Sequence, residues 1–165
     1  METTGELRFD YDGEGPERLR RQISRLAGMT STLMSRTAAD ALASIGAHKA
    51  HFVVLAVLDE TGPASQAALA DRTRIFRSDL VAVLNDLETG GWITRAPDPE
   101  DKRRNVITIT EAGRGRLAEI DAVLEGVNEH ILAPLDGGER AQLFSLLRRV
   151  GAHLAGSQLS YMIRA

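Results

Sequence analysis

Apolar residues recur at helical spacing near both ends of the chain. From position 16 they fall three or four residues apart, which predicts one long helix over 16–46. A second run predicts a helix over about 48–60, which Gly62-Pro63 then stops. Towards the C-terminus, stripes of the same period predict a helix over about 111–132 and a last helix that begins after a capping box at Asp136 and Glu139. The pattern therefore predicts a mainly helical protein.

The middle of the chain changes period. Ser65 suits the N-cap of a short helix over 66–72, and a second amphipathic helix is predicted over about 77–89. Two short helices joined by a tight turn are typical of a helix-turn-helix. Alternating residues at 92–95 and 105–109 then predict two strands of a hairpin. A helix, a helix-turn-helix and a hairpin in this order form a winged helix, so the predicted fold class is mainly α (α+β).

Charge is placed unevenly along the chain, although the whole sequence carries a formal charge of only -3. Residues 1–15 hold five acids and one arginine, a net charge of -4, whereas residues 102–116 hold five bases and one acid, a net charge of +4. Because the local field decides what docks, the overall sign does not exclude a polyanion as partner. Lys102, Arg103 and Arg104 lie in the predicted hairpin loop, where cations approach phosphates or a narrow minor groove.

Residues 64–113 combine several motifs. Asp101-Lys102-Arg103 has Asp-x-Arg spacing, alternating apolar residues follow it, and Thr110-Glu111-Ala112-Gly113 has the form Thr-x-x-Gly. In this combination the chain resembles the MarR family of bacterial transcriptional regulators, from about Pro16 to the C-terminus. The resemblance implies a homodimer that binds a palindromic operator on double-stranded DNA. It also implies release by a small aromatic or phenolic effector.

The apolar stripes support a homodimer independently of the resemblance. A winged-helix unit can hold its own small core, yet the flanking helices bring far more apolar surface than that core can cover. A second copy would cover the excess, and a two-fold dimer places two recognition helices about one turn of B-DNA apart. The predicted divisions are an acidic flexible tail (1–15), an N-terminal dimerisation helix (16–46), the winged helix-turn-helix DNA-binding unit (47–110) and C-terminal dimerisation helices (111–165).

The predicted DNA contacts lie on the helix-turn-helix and on the wing. They are Ser65, Gln66, Arg74, Arg77, Ser78, Asp79, Ala82, Asn85, Lys102, Arg103 and Arg104. Family members commonly carry Thr or Arg where Asp79, Ala82 and Asp86 stand here. Asp79 therefore either accepts from a cytosine amine or only favours the first helical turn through the helix dipole. By the resemblance, Asp101 supports the wing by steadying Arg103 through a charge-assisted hydrogen bond.

An effector site is predicted between the dimerisation helices and the DNA-binding unit, lined by Met29, Met34, His48, His51 and Phe52. Plain core packing, with His48 as a helix cap, explains the same residues. His48 and His51 are three apart and could share a metal ion, but the chain has no cysteine and the sequence identifies no third ligand. We therefore predict no metal site and no cofactor.

The sequence shows no catalytic constellation: no nucleophile, base and orienting group, no phosphate-binding glycine loop and no two-metal carboxylate cluster. The predicted function is a ligand-responsive transcriptional repressor that is not an enzyme. The alternatives are a winged-helix module for protein contacts, which the acidic recognition helix leaves open, and a small metal-dependent enzyme using His48, His51 and carboxylates. Charged residues interrupt every window long enough to span a bilayer, and the N-terminal residues lack a secretory signal. A cytoplasmic protein with no membrane partner is expected.

Overall fold

The computed structural model describes residues 16–98 and 105–162, with side chains described as far as residue 156. Within these ranges the helices are α1 (Glu17–Arg20), α2 (Ile23–Ser44), α3 (Lys49–Thr61), α4 (Gln66–Thr73), α5 (Arg77–Thr89), α6 (Glu111–Ile131) and α7 (Gly137–Met162). The strands are β1 (Ala64–Ser65), β2 (Ile93–Pro97) and β3 (Asn105–Ile109). The predicted fold class, mainly helical with a small winged sheet, is confirmed.

The predicted single helix over 16–46 is wrong at one point. The chain forms α1, breaks at Arg21 and Gln22, and begins again as α2. Gln22 is extended, with φ -84° and ψ 103°, so the helical hydrogen-bond ladder stops there; its carbonyl then accepts from the Leu26 N–H and begins α2. No glycine or proline marks this break, so the apolar spacing runs straight through it.

The helix-turn-helix forms where the sequence predicts it. The Oγ of Ser65 accepts from the Ala68 N–H at 3.3 Å, which confirms the predicted N-cap of α4. Helix α4 ends at Arg74, which adopts the left-handed conformation at φ 56°. Helix α5 has the predicted bounds, and its apolar stripe of Leu80, Leu84 and Leu87 is fully buried in the core.

The sheet has the strand order β1-β3-β2, and both pairings are antiparallel. In the hairpin, Ile93 lies opposite Ile109 and Pro97 opposite Asn105. The short strand β1 was not predicted, because two residues are too few for an alternating pattern to register. It pairs Ala64 with Ile107 and ties the helix-turn-helix to the wing.

A close approach joins α6 to the base of the wing. The Thr110 N–H donates to the Trp92 carbonyl at 3.0 Å, and the Thr110 hydroxyl donates to the Gly91 carbonyl at 2.8 Å. The same hydroxyl accepts from the Gly113 N–H at 2.9 Å and so caps α6. A Cβ at Gly113 would lie 2.0 Å from the Trp92 carbonyl oxygen, so this backbone contact requires glycine. The Thr-x-x-Gly motif therefore fixes the start of α6 against the base of the wing.

The chain divides into two compact units, one ending at Val127 and the other beginning at Asn128. In the second unit, the predicted capping box forms at the start of α7. The Glu139 N–H donates to Asp136 Oδ1 at 2.9 Å, while Glu139 Oε2 accepts from the Asp136 N–H at 2.9 Å. Among the described residues, no single helix is long and apolar enough to cross a membrane, although α2 and α3, bent by 80°, pass that test as a pair.

Candidate nucleic-acid interface

The exposed face of α5 carries small, uncharged side chains, with the carboxylates of Asp79 and Asp86 exposed beside them. Ser78, Ala82 and Asn85 follow one another at helical spacing on the side opposite the buried leucines, and all three are exposed. Small side chains allow the helix backbone to approach another surface closely. The residues of α5 predicted to contact DNA are all exposed; the set also includes Arg77 and Asp79.

The turn that leads into α5 is cationic and carries an exposed aromatic ring. Arg74 and Arg77 are both exposed, and Phe76 between them is 79% exposed. Phe76 occupies the N-cap position of α5 without any side-chain capping bond. The two other predicted contacts of the helix-turn-helix, Ser65 and Gln66 at the start of α4, are half-buried. The turn thus presents two guanidinium groups and a phenyl ring at the start of the recognition helix.

Helix α5 itself is acidic. It contains one arginine and three acids, Asp79, Asp86 and Glu88, which gives the helix a net charge of -2. The Oδ1 of Asp79 accepts from the Ser78 hydroxyl at 3.1 Å. Asp86 faces the imidazole of His51, with 3.9 Å between Oδ2 and Nε2.

Arg95 on β2 links the wing to the recognition helix. Its Nη2 donates to Asn85 Oδ1 at 2.7 Å, and its Nε lies 3.4 Å from the Glu88 carboxylate. The side chain is only 21% exposed, so the contacts are held in place. Asn85, predicted to face a base, has its carbonyl oxygen occupied by Arg95 and retains its amide N–H groups for other acceptors. Arg95 is not among the contacts predicted from the sequence; only its position on a wing strand beside α5 could have indicated it.

His51 is a buried histidine with an unsatisfied ring nitrogen. The residue is 5% exposed, and its Nδ1 finds no hydrogen-bond partner among the described residues. Burial lowers the pKa of His51, and the nearby cationic groups His48 and Arg116 lower it further, whereas Asp86 opposes them. Its ring centroid lies 5.0 Å from that of His48 and 6.2 Å from that of Trp92.

Arg116 of α6 also contacts Trp92. Its guanidinium carbon is 4.8 Å from the centroid of the indole, a cation–π contact. It pairs with Glu119 and donates to the Ile45 carbonyl, yet its buried Nε has no partner in the described part of the chain. His51 and Arg116 therefore place two unsatisfied polar atoms around one indole ring. In the sequence Arg116 is visible only as one of the five bases of residues 102–116.

The remaining predicted effector residues are placed as follows. Met29, Met34 and Phe52 are half-buried, and Phe52 packs against the core. His48 is exposed at the N-cap position of α3, but its side chain makes no capping bond, so its expected role as a cap is wrong. Within the described ranges, no three residues of the types His, Cys, Asp and Glu come together as a metal site would require.

The predicted wing tip falls on residues that the structure does not describe. Asp101, Lys102, Arg103 and Arg104 lie between the described ranges, after β2 and before β3. The predicted tail, residues 1–15, lies outside them as well. The predicted contacts of these residues remain predictions.

Comparison with known proteins adds an independent finding. A model of the MarR family matches residues 46–104. The chain is 29% identical over 99 residues to the HTH-type transcriptional repressor NicR of Pseudomonas putida, across 60% of this chain and 63% of that protein. It is 31% identical over 98 residues to the transcriptional regulator HosA of Escherichia coli, across 59% of this chain and 72% of that protein.

A solved structure shares the fold. It describes regulation of DNA binding of Bordetella bronchiseptica BpsR by 6-hydroxynicotinic acid. It superimposes with a TM-score of 0.69 at 23% identity and covers 83% of this chain and 98% of that one. At this identity the likeness concerns the fold alone.

Proposed function

The chain belongs to the MarR family, and on that premise we propose that it is a transcriptional regulator that binds a specific site on double-stranded DNA as a homodimer. One observation carries the proposal. The exposed face of α5 carries the small side chains Ser78 and Ala82 and the amide of Asn85, and in the sequence α5 stands between a cationic turn and a hairpin whose loop contains three consecutive bases. A helix of this kind fits the major groove, while cations beside it neutralise phosphates.

The acidic residues of α5 are better suited to distinguishing one base sequence from another than to increasing the affinity for DNA in general. Aspartates repel phosphates but can accept hydrogen bonds from a cytosine amine, so Asp79 is suited to discriminating among bases. Arg74, Arg77 and the wing residues Lys102, Arg103 and Arg104 supply attraction to the backbone in this arrangement. Arg95 holds the wing strand to α5 through Asn85 and Glu88, so both elements meet the duplex in a fixed geometry.

The homodimer is supported by apolar surface that a single chain leaves uncovered. In α7 the exposed large side chains are Phe144, Leu146, Leu147, Val150 and Leu154, and in α1 and α2 they are Leu19, Ile23, Leu26 and Leu33. Apolar patches of this extent mark subunit interfaces. Both helical regions are the ones whose stripes predict dimerisation, and a two-fold dimer fits a palindromic operator.

Regulation by a small anionic aromatic compound is supported by the surroundings of Trp92. A carboxylate would accept a hydrogen bond from the unpaired Nε–H of Arg116, a phenol hydroxyl would donate to the unpaired Nδ1 of His51, and an aromatic ring would pack beside the Trp92 indole. Met29, Met34 and Phe52 are the further lining residues in this proposal. The Bordetella protein, whose DNA binding 6-hydroxynicotinic acid regulates, responds to a compound of this chemical class. In this scheme the protein is a repressor that the effector releases.

Removal of a wing cation tests the DNA-binding proposal. The probe is a duplex enriched from a random-sequence pool by the wild-type protein, and affinity is measured by fluorescence anisotropy against salt concentration. Arg103→Ala should cost roughly 1 to 3 kcal/mol of binding free energy and lower the salt slope, since one contact with the polyanion is lost. Asp101→Ala should reproduce part of the defect.

Arg36→Ala is the matched control, because it removes an exposed arginine from α2, outside the proposed interface. It should leave both affinity and salt slope unchanged. If the wild-type protein enriches no duplex and shows no salt-dependent binding, the rival role of a winged-helix module for protein contacts, which the acidic α5 leaves open, replaces this one. Equal losses in Arg36→Ala and Arg103→Ala would mean that only overall charge matters.

A further inference from the structure

Phe76 is a large apolar side chain that the folded chain leaves unused. Its exposure of 79% is the greatest among the large hydrophobic residues in the described part of the chain. At the N-cap position a Ser, Thr, Asp or Asn side chain would accept a hydrogen bond from the first turn of α5, which phenylalanine cannot do. Phe76 therefore contributes neither to the core nor to the capping of its own helix.

The backbone holds this ring in a defined place. The Phe76 carbonyl accepts from the Asp79 N–H at 3.0 Å and from the Leu80 N–H at 2.9 Å, as the first acceptor of α5. Because Leu80 is fully buried, the start of the helix is anchored to the core. The phenyl ring is thus presented at the N-terminal end of the recognition helix by a rigid element.

The neighbours of Phe76 point to a polyanion. Arg74 and Arg77 flank it in sequence, and both are exposed. Helix α5 offers only one other exposed large apolar side chain, Val81 at 42%, and its outer face consists of Ser78, Ala82 and Asn85. A single ring between two guanidinium groups is a poor core for a protein interface, which needs a broader apolar patch. It suits the edge of a groove lined by phosphates.

We propose that Phe76 reads DNA by packing its ring against the 5-methyl group of a thymine in the major groove, while Arg74 and Arg77 hold neighbouring phosphates. N-terminal residues of a recognition helix are those that reach base edges. Thymine alone presents a methyl group in the major groove, and phenylalanine is one of the side chains that contact it. The inference rests on the proposed function and adds a specificity-determining residue to it.

Replacement of thymine by deoxyuridine tests the inference, since it removes the methyl group and nothing else. In the duplex enriched by the wild-type protein, each thymine is replaced in turn and affinity is measured by fluorescence anisotropy. The wild-type protein should lose about 4-fold in affinity at one thymine of each half-site, the factor that corresponds to one buried methyl group. In Phe76→Ser the same replacement should have no effect.

Phe76→Ser also separates binding from folding. Serine can cap α5, so the variant should unfold at the same temperature as the wild-type protein or higher. Val81→Ala is the matched control, because it shortens an exposed apolar side chain within α5. This variant should still lose affinity when the contacted thymine is replaced by deoxyuridine.

Three results would overturn the inference. The first is that the wild-type protein binds the enriched duplex and that replacement of no thymine by deoxyuridine weakens this binding. The second is a sensitivity to deoxyuridine that persists in Phe76→Ser. The third is conversion of a dimer to a monomer by that variant, measured by light scattering, which would make Phe76 a subunit contact. If the wild-type protein binds no duplex at all, the proposed function fails together with the inference, so the two failures are distinguishable.

Discussion

At the scale of single residues, His51 makes stability depend on pH. Three groups influence its charge: His48 at the N-cap of α3, Asp86 of α5 and Arg116 of α6. Burial, then His48 and Arg116, lower its pKa below the ordinary value of 6.5. As the pH falls below about 6.5, the unfolded chain gains a proton before the folded chain does. The contribution of His51 to the free energy of unfolding is therefore fully present above that pH. It should decline as the pH falls from 6.5 towards the lower pKa of the folded state.

Urea unfolding at several pH values between about 8 and 5.5, at fixed protein concentration, measures this dependence. His51→Gln should flatten the decline, because the group that resists protonation is gone. His130→Gln removes an exposed histidine from α6 and should leave the decline as it is in the wild-type protein. An unchanged pH dependence in His51→Gln would show that other groups cause it.

Residue chemistry in the site was only partly readable from the sequence. The exposed positions of α5 follow from its apolar stripe, since the buried leucines fix the opposite face. The pairing of Arg95 with Asn85 does not follow, because it depends on how β2 lies against α5. Phe76 carries a local signal: an apolar residue stands at a predicted N-cap, where hydrogen-bond acceptors are typical.

At the scale of elements, Gly113 fixes the wing to α6. A methyl group there would lie 2.0 Å from the Trp92 carbonyl oxygen and 2.8 Å from the Cγ1 of Ile109. Neither α6 nor the base of the wing can move away to relieve this overlap, because both are packed in place. Gly113→Ala should therefore lower the free energy of unfolding by roughly 3 kcal/mol, the scale of a core overpacking.

Gly115 lies two residues further along α6, and a Cβ there meets nothing within 4 Å. Gly115→Ala should stabilise the protein by up to about 1 kcal/mol, because alanine is the better helix former. Opposite signs for the two variants in thermal and urea unfolding would confirm the close contact. A mild effect of Gly113→Ala, equal to that of Gly115→Ala, would contradict it.

Element boundaries were predictable where a chemical signal marks them. Ser65, Thr110 and the pair Asp136 and Glu139 all form the caps that their residue types predict. The break at Arg21 and Gln22 has no such residue, and the apolar period continues across it, so it could not be read. Strand β1 exists only because β3 offers it a partner, which is information beyond its own two residues.

At the scale of the whole molecule, uncovered apolar surface and the recognition helix point to one arrangement, a two-fold dimer on an inverted repeat. Two copies would cover the exposed leucines of α7 and of the N-terminal helices. The same symmetry would present two copies of α5 to successive turns of one face of the duplex. Dimerisation and DNA binding are therefore two aspects of one proposal.

Native mass spectrometry of the full chain, alone and with the enriched duplex, tests this arrangement most directly, because it counts chains and duplexes in each complex. Two chains without DNA, and two chains on one duplex that contains an inverted repeat, are the predicted result. A duplex reduced to one half-site should bind far more weakly, since the second recognition helix loses its contacts. A monomer without DNA, or a single chain bound as tightly to the half-site as to the full duplex, would contradict it.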